Sequence, residues 1–359
     1  MNWTFPPSGT LIMLLFYILF VEKNEEGRDD RMLLLFAGVL TGLLPMFHMY
    51  SYICIMIAAG LFFVMSVAGK KRDARLMKNW PCFIVPALLL ALPQVFLLLG
   101  QVGESFMRVQ VGWMADSLTD IPWFWIKNMG VELLLLLAGL FVIGRDKLKF
   151  YLPFAGIFVV ANVIIFQPWD YDNHNFFSFW LLASAPLMAA ALLRIWDLRM
   201  VGKPLCVILL VIAVLTGAIL ADFMLARPYV VFTKDCVSVA GWIEQNTPPD
   251  AVFLTGDVHN HPVTCLAGRK SFLGYTGWLY THGIKTDTRQ NAVAVMFNAN
   301  SPADLYGRMA QNGIGYVYLG PEELNSNTYI INRKLFDAMI PVFNWTGTSG
   351  FNYRVYKAQ

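Results

Sequence analysis

The densest group of chemistry-bearing side chains is Gln167-Pro-Trp-Asp-Tyr-Asp-Asn-His174. Two carboxylates, an amide and an imidazole within eight residues can grip a polar headgroup or a divalent cation. Asp170 and Asp172 are two apart, so in extended chain they face the same way; in a loop they can still converge. The competing role is a solvated turn in which Asp172 or Asn173 caps the helix that follows. Trp169 and Tyr171 are natural anchors at a membrane interface.

A second run, Gly268–Gly283 (GRKSFLGYTGWLYTHG), sets glycines and aromatics around the adjacent pair Arg269 and Lys270. Glycine lets backbone approach a ligand, and exposed backbone N–H groups favour anions. The two cations supply charge-assisted bonds to phosphate. The aromatics could stack on a sugar face or rest on lipid, and the bland alternative is a loop tucked on the membrane. Asp257, His259 and His261 alternate and would share one face of a strand, as three ligands for zinc; the alternative is a loop at the end of a sheet. His48 follows Leu44-Pro45 and stands either as a satisfied polar cap or as a headgroup contact. Glu132 falls about two turns into an apolar stretch, where a charge costs roughly 2.5–3.5 kcal/mol. Lys127 is its nearest partner by snorkelling. The chain contains no GxxxxGK[ST], no GxGxxG after a strand, no HExxH and no CxxC pair. That argues against a transporter driven by its own ATPase.

These residues need elements to hold them, and composition says which. Apolar residues make up 57% and charged residues 14% of 359 residues, against roughly 45–50% and roughly 25% in soluble domains. A soluble chain of this kind would expose large apolar patches, so lipid must solvate much of it. A net charge of +3 with no basic stripe gives no sign of a nucleic-acid partner. Eight windows are apolar enough to span: 8–22, 32–47, 50–69, 80–100, 123–143, 150–167, 175–193 and 205–223. The loops at 22–31, 70–79, 144–149 and 194–204 hold 14 Lys and Arg, whereas the alternate loops and adjoining span ends hold two, Arg108 and Lys127. The basic side is then cytoplasmic. Both the N-terminus and residues 224–359 lie outside, and the Asp170–His174 turn and the Arg269-Lys270 loop meet the same outer leaflet.

The expected fold is an α-helical polytopic membrane bundle of about eight spans over 1–223, followed by a small extracytoplasmic α/β domain over 224–359. In that domain 237–246 and 303–312 read as helices, and 251–255, 315–320 and 351–356 as strands, with a partly parallel sheet. Cys54, Cys82 and Cys206 fall in spans. Cys236 and Cys265 fall in the outer domain, where an oxidising compartment could pair them. Residues 1–10 form no signal peptide, and an outside N-terminus is the pattern expected if upstream spans belong to a missing N-terminal half or a partner subunit.

Three segments, GVLTGLLPMFH (38–48), WDYDNHNFF (169–177) and AGRKSFLGYTGWLYTHG (267–283), together with this topology, make the chain resemble the C-terminal part of prokaryotic multi-spanning glycosyltransferases of the GT-C class. The nearest in pattern are the mannosyltransferase-like proteins. The resemblance implies transfer of a sugar from a polyprenyl-phosphate carrier to a glycan, lipid or protein acceptor on the outer face of a prokaryotic cell membrane. It assigns Arg269, Lys270 and His48 to the carrier phosphate, and Asp170, Asp172 and His174 to the sugar or a divalent cation. The acidic catalytic residue of such enzymes sits in the first outer loop. Met1–Pro7, the first outer segment here, has no carboxylate, so no catalytic residue is assigned. Two other classes compete. One is a flippase or scaffold with Glu132 as coupling group. The other is an oligosaccharyltransferase-like protein, although the outer run lacks the adjacent Trp-Trp-Asp of those enzymes.

Overall fold

In a computed structural model the described residues are 31–68, 74–99, 107–227 and 229–358. The first apolar window, 8–22, lies outside them, as do the cations at 23, 28 and 70–72. The chain divides into two compact units, one ending at Ala226 and the other beginning at Arg227.

The first unit is helical. Its helices are α1 (Arg31–Leu43), α2 (Pro45–Ala68), α3 (Ala74–Asn79), α4 (Pro81–Leu99), α5 (Ile121–Met129), α6 (Val131–Val142), α7 (Arg145–Ala161), α8 (His174–Trp196) and α9 (Gly202–Ala226). Two short strands, β1 (Arg108–Val109) and β2 (Ile164–Ile165), pair antiparallel. Among the described residues, four stretches are long and apolar enough to cross a bilayer: Pro45–Ala68, Met77–Leu97, Asp170–Trp196 and Gly202–Ala226. The expectation of about eight spans is not supported. Helix α1 has 13 residues and reaches about 20 Å, short of a hydrocarbon core of about 30 Å. The window at 123–143 breaks at Gly130 into α5 and α6, bent by 99°; counted as one broken span, the pair makes a fifth. Helix α7 has 17 residues, and Arg145, Lys147 and Lys149 occupy its start. Glu132 therefore sits in the first turn of α6, where the helix dipole favours an acid. The Lys127 ammonium lies over the Trp123 ring, 5.4 Å from its centroid.

Small residues set the helix contacts. A side chain at Gly38 would meet the Phe83 carbonyl and Pro86 of α4, and one at Gly42 would meet the Pro86 carbonyl at 2.7 Å. This i, i+4 glycine pair is the usual device for close approach in lipid. Gly139 does the same for α6 against the Leu187 carbonyl of α8. The core behind β1 and β2 is aromatic, with Trp113, Trp125, Phe158, Phe177 and Trp180 in mutual contact. Each buried indole N–H has an acceptor: Asp170 O at 2.6 Å, Asn162 Oδ1 at 3.0 Å and Tyr151 OH at 2.8 Å. Buried indoles are held this way because an unpaired donor in a dry core is costly.

The second unit is α/β. It comprises α10 (Lys234–Asn246), β3 (Val252–Leu254), α11 (Pro262–Cys265), β4 (Lys270–Ser271), α12 (Thr276–Thr281), α13 (Asp287–Phe297), α14 (Pro302–Gln311), β5 (Tyr316–Leu319), α15 (Pro321–Leu324), α16 (Arg333–Ala338), β6 (Phe343–Thr346) and β7 (Asn352–Lys357). The sheet order is β4-β3-β5-β7-β6; β4, β3 and β5 are parallel, and β7 runs antiparallel to β5 and β6. The apolar runs at 251–255 and 315–320 are its buried central strands. Both Cys236 and Cys265 are free thiols, the first buried and the second exposed. Asp235, at the start of α10, accepts bonds from the backbone and hydroxyls of Thr348 and Ser349. These bonds hold its carboxyl at about 2, well below the usual range, and pin the β6–β7 turn.

Candidate functional site

Each unit carries one polar focus. In the first it forms where β1 and the 3₁₀ turn Asp170–Asn173 meet. Strand β1 carries Arg108, whose guanidinium pairs with Asp170 and also donates to the Gln167 carbonyl at 3.2 Å. The Gln110 amide donates to the other Asp170 oxygen at 3.2 Å. Asp170 is thus the brace between β1 and the turn. Asn173, fully buried, donates to the carbonyls of Ala161 and Ile164 and accepts from Phe166 N. It ties the turn to the end of α7 rather than capping α8 through its side chain.

Asp172 and His174 are left at the surface of this brace, half-buried. His174 Nδ1 lies 2.9 Å from the Tyr171 carbonyl, which can only accept. Nδ1 therefore carries a proton, and in the neutral ring Nε2 carries the lone pair. His48 sits at a kink in α2, with φ −161° and ψ 90°. Its Nδ1 accepts from Ser51 N at 3.3 Å and contacts Ser51 Oγ at 2.8 Å. A neutral His48 therefore presents Nε2–H. Its ring meets Tyr50 at 5.3 Å, and Tyr50 meets Phe176 of α8 at 5.4 Å. His48 and the Asp172–His174 turn thus belong to one end of the bundle, one as donor and the other as acceptor.

In the second unit the focus lies at the carboxyl ends of the parallel strands, the usual place for function in such sheets. Chain connections from β3 go to one side, to β4, and later return to the other side, at β5. At the crevice between β3 and β5 lies Glu323, whose side chain has 0% exposure. Its carboxylate accepts from Gly256 N at 2.8 Å, Gly320 N at 2.9 Å and His261 Nε2 at 2.7 Å. His261 Nδ1 accepts from Val263 N at 3.2 Å, so the ring proton belongs to Nε2. Glu322 is adjacent. It accepts from Tyr318 OH at 3.1 Å and from the Cys236 thiol at 3.5 Å. Burial, then the neighbouring Glu323 charge, pushes the Glu322 carboxyl up; burial pushes the Cys236 thiol up.

Asp257, His259 and His261 do not converge, because β3 ends at Leu254 and the residues beyond it form a loop. Asp257 accepts from Thr276 N at 2.8 Å and from its hydroxyl. His259 packs edge-on against Trp278 and Tyr275, while His261 belongs to Glu323. Among the described residues no three His, Cys, Asp or Glu side chains are placed to hold a metal. Arg269 also departs from a simple phosphate clamp. Its guanidinium donates to Glu244 O, Thr247 O, Thr247 Oγ1 and Ala267 O, at 2.6–3.0 Å. It caps the carboxyl end of α10, where a cation is favoured. Lys270 is exposed on β4.

A cleft of about 250 Å³ opens beside this network, between the loops that follow β3 and β4. Sequence reading missed Glu322, Glu323 and Tyr318 altogether. The signal was present in a strand running into Gly320-Pro-Glu-Glu323, a helix start with two acids in its first turn.

No protein-family model matches the chain, and no curated protein sequence does. Among solved structures it is similar to the crystal structure of an oligosaccharyltransferase from Archaeoglobus fulgidus, in complex with zinc and sulfate, at 12% identity and a TM-score of 0.51. The likeness covers 97% of this chain and 53% of that one, so the chain spans about half the length of the structure it matches. At this identity the likeness is one of fold.

Proposed function

We propose that this chain is a membrane glycosyltransferase, or the C-terminal portion of one, that moves a sugar from a polyprenyl-phosphate carrier to a glycan, lipid or protein acceptor on the outer face. The observation that carries the reading is the likeness of almost the whole chain, apolar helices and α/β unit together, to a solved oligosaccharyltransferase. The same likeness favours a second reading, an oligosaccharyltransferase-like protein, despite the missing Trp-Trp-Asp. The choice of a lipid-linked donor has separate support. In a doubly wound sheet, a nucleotide's phosphates take the backbone N–H groups at the switch crevice. Here Glu323 takes those of Gly256 and Gly320.

Asp172, His174 and His48 in the first unit and Lys270 in the second are the candidates for sugar and phosphate. Asp170 and Arg269 serve first as braces. The Nε2 lone pair of a neutral His174 can accept a proton from an acceptor hydroxyl. The His48 N–H can donate to an anionic oxygen, so that phosphate leaves with its charge stabilised.

The test compares membranes with and without the protein, supplied with polyprenyl-phosphate hexose labelled in the sugar. Transfer that depends on the protein and falls at least about tenfold in His174→Ala is expected. Transfer that is served equally by a nucleotide sugar in carrier-free membranes would overturn the donor assignment.

A further inference from the structure

We infer that the cleft between the β3 and β4 loops is a binding site for a neutral saccharide, seated with a pyranose face against Trp278. This goes beyond the transferase reading and stands or falls without it, because a saccharide can bind whether or not this chain transfers one.

Four features of the cleft point to that ligand class. The first is the aromatic wall. Trp278 is 50% exposed at the rim. His259 and Tyr275 meet it edge-on at 4.6 and 5.7 Å, and each other at 5.1 Å and 90°. These contacts, tilted by 68° and 86°, hold the indole in place while half of it stays exposed, and a rigid aromatic surface suits the apolar C–H face of a sugar. The second is how that wall is built. A Cβ at Gly277 would lie 2.6–2.8 Å from the Tyr275 ring, so glycine is needed for Tyr275 to fold back and support the wall.

The third feature is charge. The lining contains no Lys, Arg, Asp or Glu. Its one buried titratable side chain, His261, is already committed to Glu323. The neighbouring Arg269 is spent on the end of α10. A phosphate or carboxylate ligand would find no counter-charge, whereas a neutral ligand needs none. The fourth is the polar edge. Asn260 holds a left-handed backbone, φ 58°, a conformation a non-glycine residue keeps at some cost. It lines the cleft together with Thr264 and Ser271. The Thr264 and Ser271 hydroxyls donate to the His261 and Leu273 carbonyls and so meet a ligand as acceptors; with the Asn260 amide they give an apolar cleft the few polar groups that a molecule with hydroxyls around its rim and C–H bonds on its face would need.

Cys265 reports on occupancy, because it lines the cleft and is exposed, while Cys54, Cys206 and Cys236 are buried. The full chain is placed in lipid nanodiscs without sugar-headed detergent. The rate at which N-ethylmaleimide modifies Cys265 is followed by peptide mass spectrometry, with Cys82 as internal reference. The probes are methyl hexopyranosides and a linear hexose trisaccharide at concentrations up to tens of millimolar, with glycerol and a threonine tripeptide as comparisons. Saccharides are expected to slow Cys265 at least about threefold relative to Cys82, as millimolar affinity would give, while glycerol leaves it unchanged. Trp278→Ala is expected to abolish that protection without altering the unprotected rate, and Trp278→Phe to keep part of it. No protection by any saccharide would overturn the proposal. So would protection by the tripeptide alone, or protection that survives Trp278→Ala. Failure of sugar transfer with protection intact would leave this site standing and remove only the transferase reading.

Discussion

Adjacent side chains in this protein do opposite work, and Glu322 and Glu323 make the clearest case. Glu323 has three N–H donors around its carboxylate, so its charge is matched within the core. Glu323→Gln replaces an acceptor with a donor amide facing N–H donors in that nest, and is expected to cost about 1–3 kcal/mol, the usual result of leaving a buried donor unsatisfied. Glu322 has weaker partners, and burial raises its carboxyl above the ordinary glutamate value of 4.5. A raised folded pKa means its contribution is full at low pH and is lost as pH rises through the folded value. Glu322→Gln is therefore expected to stabilise the protein at neutral pH and to flatten that part of the profile. Asp235 has the opposite sign. Its depressed carboxyl contributes above 3.8 and loses that contribution as pH falls towards about 2, and Asp235→Asn should remove that acid limb. Thermal melts of the full chain across pH check all three. The helix start at Gly320-Pro-Glu-Glu323 was legible in the sequence, but the opposite roles of its two acids were not, since a Glu-Glu pair after Gly-Pro looks like any solvated helix start. Arg269 drew attention in the sequence as a phosphate contact and not as a helix cap, because three of its four acceptors lie more than 20 residues away, at Glu244 and Thr247.

Hydropathy finds apolar elements well and their breaks poorly. The windows at 50–69, 80–100, 175–193 and 205–223 correspond to helices long enough to span. The window at 123–143 was equally apolar, yet it is two helices meeting at 99°. Nothing in an average over 20 residues registers Gly130, whose φ of 55° reverses the chain. Likewise the alternation of Asp257, His259 and His261 promised a shared face only while the chain stayed extended, and β3 ends three residues earlier. Two glycines separate strain from contact. Gly130 has open space where a Cβ would go, so Gly130→Ala should cost only the left-handed backbone, about 1–2 kcal/mol. Gly139 is pressed against the Leu187 carbonyl. Gly139→Ala must push α6 from α8, at roughly 1–3 kcal/mol for overpacking, and should uncouple these helices. Unfolding in mixed micelles measures both costs. Only Gly139→Ala is expected to change cross-linking between cysteines placed on α6 and α8.

For the whole molecule, composition was the safest guide. A chain with 57% apolar residues has, among the described residues, four helices long and apolar enough to cross a bilayer, ending in α9, and then an α/β unit with its own core. The uneven spread of cations predicts the sides: a cysteine at Lys270 should react with an impermeant reagent added outside sealed vesicles. One at Met200, 93% exposed in the link between α8 and α9, should react only from within. What composition could not reveal was that the α/β unit closes its own switch crevice with a carboxylate, since that depends on residues 67 apart meeting.

The proposed donor chemistry requires the His48 end of the bundle to bind a polyprenyl phosphate. It is tested most directly by photo-crosslinking the purified full chain with a polyprenyl phosphate carrying a photoreactive group near the phosphate. Labelling is predicted in the peptides that contain His48 and Asp172–His174, competed by unlabelled polyprenyl phosphate and not by a nucleotide sugar. Labelling no stronger than with the uncharged polyprenol, or spread along α9 alone, would contradict it.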